Sequence, residues 1–155
     1  MGSSIKTNIK LILVFFFLIG TTSLHAQNKK IDRIEQYYNQ GHFKTVYRKA
    51  NRLLRDPMYD GYILPAYYSA MSSFQLLQNP YWMKRNIAKI DESCRMMSSI
   101  FGSDKWPLIK ETHAQELGEM AVIFDRWLKD KNTVVDDTKK QKLADWIEKV
   151  YKGYK

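Results

Sequence analysis

Apolar side chains return every three or four residues along most of this chain, and that spacing constrains the fold more than any other feature. In the clearest stretch the apolar positions are Met83, Ile87, Ile90, Cys94, Met97 and Phe101. Because an α-helix completes a turn in about 3.6 residues, this spacing puts these side chains on one helix face. Apolar and polar residues nowhere alternate over more than a few positions, so we expect an all-α fold without a sheet.

The same spacing predicts about six helices, paired as antiparallel hairpins over approximately 30–56, 63–101 and 108–154. We expect uninterrupted helices from Pro80 to Phe101 and from Leu108 to Lys129. The pattern Thr138-x-x-Gln141 has the form of a capping box and predicts the start of the last helix. Helix hairpins in series can build either a short solenoid or a small bundle, and the spacing leaves both open.

The N-terminus has the pattern of a bacterial-type secretory signal peptide over residues 1–26. Lys6 and Lys10 precede the apolar run from Leu11 to Ile19, and Ala26 supplies a small residue for cleavage. An apolar run of this length makes roughly 14 Å of helix, about half the hydrocarbon core of a bilayer. We therefore expect a removed peptide, an exported chain that is periplasmic or extracellular, one domain over 27–155, and no integral membrane segment after cleavage.

Composition excludes several classes of protein. The chain has 155 residues, 45% of them apolar, and 1 Cys, which argues against a disordered chain, a disulfide scaffold and a multi-Cys metal site. Its net charge is +9 at pH 7. For an exported chain this charge favours an anionic envelope polymer over nucleic acid as a partner. No phosphate-binding loop, Gly-x-Ser-x-Gly or His-Glu-x-x-His pattern is present, so we expect no catalytic residues and no cofactor.

The sequence contains one candidate nucleophile and one candidate pair of metal ligands. Cys94 lies in an apolar helical stripe, and we expect a buried, inert thiol there. His113 and Glu116 stand three residues apart, a spacing at which both could bind one metal ion. Ferritin-like bundles carry such pairs in duplicate, and this chain has one, so the interpretation is a hydrogen-bonded histidine at the core. A small metal-binding bundle stays an alternative.

Aromatic residues are concentrated between Tyr59 and Trp82. Consecutive residues such as Tyr67 and Tyr68 point about 100° apart on a helix, so one of the two is expected at the edge of the core. Exposed aromatic rings give contact area at low entropic cost, which favours a binding groove. The predicted groove residues are Tyr38, Tyr67, Tyr68 and Gln75, with Arg48 and Arg52 at the rim.

A set of residues in the first hairpin follows a known spacing: Tyr37, Tyr38, Gly41, Phe43, Ala50 and Pro57. An aromatic before a turn glycine, a second aromatic after it, a small residue on the next helix and a terminal proline resemble the tetratricopeptide repeat. The range from Ile63 to Phe101 looks like a second, degenerate copy. The resemblance implies stacked helix hairpins with a groove for a protein partner.

The chain as a whole is similar to the helical segment that precedes the peptidase domain of exported NlpC-type cell-wall peptidases. The catalytic domain of that family is absent, and Cys94, in Glu-Ser-Cys-Arg, takes no catalytic role from the resemblance. We expect a non-catalytic binding or scaffolding module for a protein or envelope partner, or for a second copy of itself. The alternative is an accessory part of a cell-wall (peptidoglycan) hydrolase.

Overall fold

The structure is a computed structural model that describes residues 29–131 and 133–152. Contacts divide the chain into two units, residues 1–33 and 34–155; of the first unit, residues 29–33 are described and are helical. The predicted signal peptide, residues 1–26, lies outside the described residues, as does Tyr154 at the end of the predicted third hairpin. In the part that is described, no helix has both the length and the apolar character needed to cross a bilayer.

Most of the described residues are helical, and residues 29–131 and 133–152 contain no strand. This confirms the all-α prediction. The expected number of about six helices is wrong, because eight are found over these residues. They are α1 (29–39), α2 (Phe43–Leu53), α3 (Ile63–Leu77), α4 (Pro80–Asn86), α5 (Lys89–Phe101), α6 (Trp106–Thr112), α7 (Ala114–Lys129) and α8 (Asp137–Tyr151). A short 3-10 helix, Pro57–Tyr59, links α2 to α3.

One extra helix arises because the stretch expected to be continuous over 80–101 is divided into α4 and α5. At the end of α4, the side-chain amide of Asn86 donates a hydrogen bond to the carbonyl oxygen of Trp82, at 2.9 Å. A polar side chain that bonds to a carbonyl one turn earlier competes with the backbone ladder. This competition accounts for the interruption before Lys89.

The second extra helix has the same physical cause. The hydroxyl of Thr112 donates to the carbonyl oxygen of Leu108, at 2.8 Å, and α6 ends at that residue. A back-bonded threonine of this kind bends a helix. His113 then has φ −118° and ψ 24°, outside helical values, and α7 begins at Ala114. The expected single helix over 108–129 is therefore two helices that meet at His113.

Side-chain caps set where two of the helices begin. Asn79 caps α4, because its side-chain oxygen accepts two backbone N–H hydrogen bonds, at 3.0 and 3.2 Å. The predicted capping box Thr138-x-x-Gln141 is displaced from the observed start of α8. Asp136 caps this helix instead, with its carboxylate accepting from the N–H of Lys139 at 2.9 Å.

α3 is the central helix of the second unit, since it contacts α2, α4, α5 and α7. The helices α5 and α7 each also contact α8. The expectation that Tyr67 or Tyr68 lies at the edge of the core is wrong, because both side chains are fully buried. Contacts on several sides of α3 cover residues that an isolated amphipathic helix would expose. Three serines of α3, Ser69, Ser72 and Ser73, are buried with them.

Aromatic rings fill the core between α3, α7 and α8. The ring of Phe124 packs edge-on against Phe74, with centroids 4.7 Å apart, and against Trp146, at 4.9 Å. Such edge-to-face pairs add to the stabilisation that burial of the rings provides. These contacts hold α7 against α3, and α7 carries the acidic residues described next.

Candidate binding site

A cleft of about 490 Å³ lies among α1, α3 and the junction of α6 with α7. We call it the acidic cleft, after its main lining residues: Glu35, Tyr38, Gln75, His113, Glu116 and Glu119. Glu119 at its rim is exposed, whereas Tyr38 and His113 are 6% and 9% exposed. The cleft therefore has a buried aromatic floor and an acidic rim that solvent reaches.

A tight turn after α1 shapes one side of the acidic cleft. Gly41 has φ +75°, a left-handed conformation that glycine adopts without the steric cost of a Cβ atom. Its N–H donates to the carbonyl oxygen of Tyr38, at 2.9 Å, and closes the helix end. The chain thus reverses just after Tyr38, which leaves that side chain at the floor of the cleft.

The interruption between α6 and α7 shapes the other side. His113, Glu116 and Glu119 follow at intervals of three residues. They therefore lie on one side of α7, with His113 at the residue just before the helix. The hydroxyl of Tyr67, on α3, donates to Oε2 of Glu116 at 2.6 Å. Nδ1 of His113 lies 3.4 Å from the same oxygen. The Tyr67 hydroxyl therefore orients the Glu116 carboxylate, and His113 lies beside the same oxygen.

Aromatic rings in edge-to-face and tilted contacts support this arrangement from behind. The ring centroids of Tyr67 and His113 are 4.6 Å apart, and those of Tyr67 and Tyr68 are 5.2 Å apart. Tyr68 continues the row to Tyr38, at 5.5 Å. The floor of the acidic cleft is thus a connected set of aromatic side chains that leaves little freedom to the groups above it.

The hydroxyls in this row are unusual in their surroundings. Those of Tyr38 and Tyr68 are buried and make no hydrogen bond of regular geometry with the described residues. Burial raises the pKa of Tyr38, Tyr67 and Tyr68 well above the ordinary value, and the negative charge of Glu116 adds to each rise. The amide of Gln75, near the Tyr38 hydroxyl, offsets part of the rise in the pKa of Tyr38. All three hydroxyls therefore stay protonated at neutral pH.

The charge of the acidic cleft is opposite to that of the chain. Three carboxylates line it, and no Lys or Arg is among the described residues that do so. The whole chain has 25 Lys+Arg against 16 Asp+Glu. A concave surface lined by one sign of charge concentrates ligands of the other sign. The cleft is therefore suited to a cationic group.

The metal hypothesis can be compared with this geometry. His113 and Glu116 lie together, as the spacing predicts, but they contact each other and Tyr67. Over the described ranges, no three His, Cys, Asp or Glu side chains are grouped as metal ligands. The carboxylates of Glu35 and Glu119 are thus distributed around the cleft and do not converge on a single point with Glu116.

The predicted groove residues are placed in three ways. Tyr38 and Gln75 line the acidic cleft, whereas Tyr67 and Tyr68 lie fully buried behind it. Arg48 and Arg52 are exposed on α2 and do not line it.

Sequence reasoning did not assign Glu35 and Glu119 to the groove. The interval of three residues from Glu116 to Glu119 was a usable signal for one of them. Nothing in the sequence pattern indicates that Glu35, on α1, faces α7 across the cleft, because only the tertiary packing brings these helices together.

A second concavity adjoins the first. This apolar groove, of about 430 Å³, lies between the start of α3 and α6, and includes Ile63, Leu64, Leu108 and Ile109. It shares Glu35, Thr112 and His113 with the acidic cleft. Leu108 is 61% exposed, a large fraction for a leucine side chain. The acidic and apolar surfaces are therefore parts of one continuous depression.

Cys94 lies apart from this depression, beside a cavity of about 730 Å³ between α5 and α8. Its side chain is buried, which confirms the predicted burial of this thiol. Burial, together with the nearby Asp91 carboxylate, raises the pKa of the Cys94 thiol to about 12. Asp91 itself pairs with Lys142 and, at 3.7 Å, with Lys139. Since the thiolate is the nucleophile, a raised pKa disfavours covalent chemistry at this cysteine.

Comparison of the chain with family models, with curated proteins and with solved structures finds no match. The geometry of the acidic cleft and the apolar groove is thus the basis for a functional proposal.

Proposed function

We propose that this chain is an exported, non-catalytic binding module that holds a protein or envelope partner in the acidic cleft. The observation that carries the proposal is the preorganised Glu116 carboxylate of the cleft, held by the Tyr67 hydroxyl at 2.6 Å, with Nδ1 of His113 beside it at 3.4 Å. A charged group that is already oriented loses little entropy when a ligand binds. Export is proposed from the pattern of residues 1–26.

The surroundings of the titratable groups support binding over catalysis. A nucleophile or general base needs a pKa near the working pH. Burial instead raises the pKa of Tyr38 and Cys94 away from neutrality. Both groups thus remain neutral at neutral pH, and in the acidic cleft Tyr38 provides part of the wall.

We also propose that the helices form tetratricopeptide-like hairpins. The contacts of the first two hairpins support this arrangement, because α2 packs on α3 and α3 on α5. The third hairpin packs on them through α8, which contacts both α5 and α7. Contacts between consecutive hairpins are the unit from which helical-repeat proteins build a concave binding surface. A short array of hairpins has a small concave surface, so contacts in the acidic cleft would provide most of the free energy of partner binding.

The test is affinity capture from envelope extract with residues 27–155 immobilised through a C-terminal tag. Wild type is compared with Glu35→Lys/Glu119→Lys, which reverses the charge at the rim of the acidic cleft. We expect the variant to lose the partners that wild type retains, because the partner would meet cations in place of carboxylates. Partners would be identified by mass spectrometry.

The matched control is Asp104→Lys/Glu111→Lys, which makes the same change in net charge at exposed positions outside the cleft. It should capture the partners as wild type does. Equal capture by the cleft variant would contradict binding through this cleft. Release of soluble fragments from purified peptidoglycan by the wild-type chain would instead support a hydrolase and overturn the non-catalytic proposal.

A further inference from the structure

We infer that the acidic cleft and the apolar groove form one site for a peptide segment in which a Lys or Arg stands next to an apolar residue. The inference rests on the proposed binding function and names the chemistry of its ligand. The cationic side chain would enter the cleft, and the apolar side chain would cover Leu108 in the groove.

Charge complementarity favours a cation as the ligand. Glu35, Glu116 and Glu119 line the acidic cleft, and none of the described lining residues is a Lys or Arg. An organic cation suits this arrangement better than a metal ion does. A metal ion needs oxygen ligands that converge within about 2.0–2.6 Å of one point, and the described residues offer no such group of three. An ammonium or guanidinium with several N–H donors can reach separated acceptors.

A second, independent observation points to a ligand at the same place. Tyr38 is 6% exposed, lines the cleft, and its hydroxyl makes no regular hydrogen bond with the described residues. A buried polar group without a partner is costly, by about 1–3 kcal/mol. The amide of Gln75 lies near this hydroxyl but makes no hydrogen bond of regular geometry with it, and the Oε1 atom of Gln75 accepts from Gln78. A ligand N–H donor in the cleft would supply the Tyr38 hydroxyl with a partner.

The floor of the cleft also favours a cation over a neutral donor. The rings of Tyr38 and Phe43 both line it and lie 5.3 Å apart. Ring faces attract cations through their quadrupole, and arginine and lysine are the side chains that use this contact most. Aromatic rings in the lining are thus compatible with the cationic ligand that the carboxylates attract.

The adjoining apolar groove supplies the second half of the specificity. Its lining of Ile63, Leu64 and Leu108 matches an aliphatic side chain, and Lys105, which also lines it, donates to the carbonyl oxygen of Gly61. His113 lies at the boundary between groove and cleft. Burial of exposed apolar surface contributes about 25 cal/mol per Å². A segment with adjacent cationic and apolar residues can fill both parts at once, whereas an anionic polymer would be repelled by the carboxylates.

The test is an NMR titration of the ¹⁵N-labelled chain, residues 27–155, with the peptide acetyl-Gly-Gly-Leu-Lys-Gly-Gly-amide. We expect the amide signals of Thr112, Glu116 and Glu119 to shift in a saturable manner. Acetylation of the lysine removes its charge at nearly constant shape and should weaken binding about tenfold, the loss expected for one charge-assisted contact. Replacement of the peptide leucine by serine should also weaken binding.

Protein variants assign each half of the peptide to its surface. Glu119→Gln should weaken binding of the lysine peptide about threefold but leave the acetylated peptide unaffected, since an exposed charge pair contributes less than a buried one. Leu108→Ser should abolish the difference between the leucine and serine peptides. Glu111→Gln, an exposed change outside both concavities, is the control and should bind as wild type does.

Equal affinity for the lysine and acetyl-lysine peptides, or no binding, would overturn the inference. If envelope capture still depends on Glu35 and Glu119 in that case, the proposed binding function stands and only the ligand chemistry is wrong. Concentration-dependent dimerisation that Glu119→Gln abolishes, without peptide binding, would identify a second copy of the chain as the occupant and would also overturn it.

Discussion

At the scale of single residues, the paired tyrosines of α3 show how neighbouring side chains of one type can have opposite effects on stability. The hydroxyl of Tyr67 donates to Glu116 at 2.6 Å. The hydroxyl of Tyr68 is equally buried but has no partner among the described residues. Removal of a bonded hydroxyl leaves its partner without a hydrogen bond, which lowers the free energy of unfolding. Removal of an unbonded hydroxyl takes away a polar group whose burial is unfavourable.

We therefore predict that Tyr67→Phe lowers the free energy of unfolding by about 1–3 kcal/mol. Tyr68→Phe should leave it unchanged or raise it, because no hydrogen bond is lost. Urea unfolding followed by circular dichroism measures both variants against wild type under the same conditions. Equal destabilisation by the two substitutions would show that the Tyr68 hydroxyl has a partner in solution, contrary to the structure.

At the scale of the helices, periodicity predicted where apolar faces lie but not where helices break. The positions Ile90, Cys94 and Met97 are buried on α5, as their spacing indicates. The interruptions before Lys89 and at His113 depend on side chains that bond to carbonyls of the preceding turn. Apolar spacing carries no information about that competition, because Asn and Thr are also common on exposed helix faces.

The cap of α4 gives a prediction at this scale. Asn79→Ala should lower the free energy of unfolding by about 1 kcal/mol, since two N–H groups at the start of the helix lose their side-chain acceptor. Asn79→Asp keeps an acceptor oxygen at the same place and should retain most of the stability. Thermal unfolding of the two variants beside wild type measures the difference. Equal losses in both would indicate that the cap oxygen does not contribute.

At the scale of the whole molecule, packing determines which sequence predictions succeed. The all-α class follows from local periodicity, and it is confirmed. The burial of Tyr67 and Tyr68 follows from α3 having neighbours on several sides, which no local pattern reveals. The acidic cleft likewise needs Glu35 and Glu119 from distant parts of the chain. Of the six predicted groove residues, two line the cleft, Tyr38 and Gln75, because the helix faces that carry them meet there.

The buried tyrosines predict that the folded chain loses stability in alkali. An unfolded tyrosine ionises near pH 10, but burial keeps Tyr38, Tyr67 and Tyr68 protonated above that value in the folded state. Their contribution to stability is complete below pH 10 and is lost as the pH rises further, by about 1.4 kcal/mol per pH unit for each group. Cys94 acts in the same direction from its ordinary value of 9 upward.

The measurement is the urea unfolding free energy at several values between pH 8 and pH 11.5. Wild type should show a steep decline above pH 10. The phenylalanine of Tyr68→Phe cannot ionise, so the stability of this variant should decline less steeply. The control is Tyr81→Phe, which removes a hydroxyl from a residue that is 85% exposed, and its stability should decline as that of wild type does. Parallel curves for all three proteins would contradict the assigned burial of Tyr68.

The hydrogen bond from Tyr67 to Glu116 joins the largely buried helix α3 to the surface where we propose that the partner binds. Binding of the proposed partner would therefore be coupled to the folding of the chain. The unfolded chain has no such receptor, so every molecule that is held there draws the population toward the native state. If the proposed partner binds there, the chain should resist heat and proteases better with the partner bound than without it.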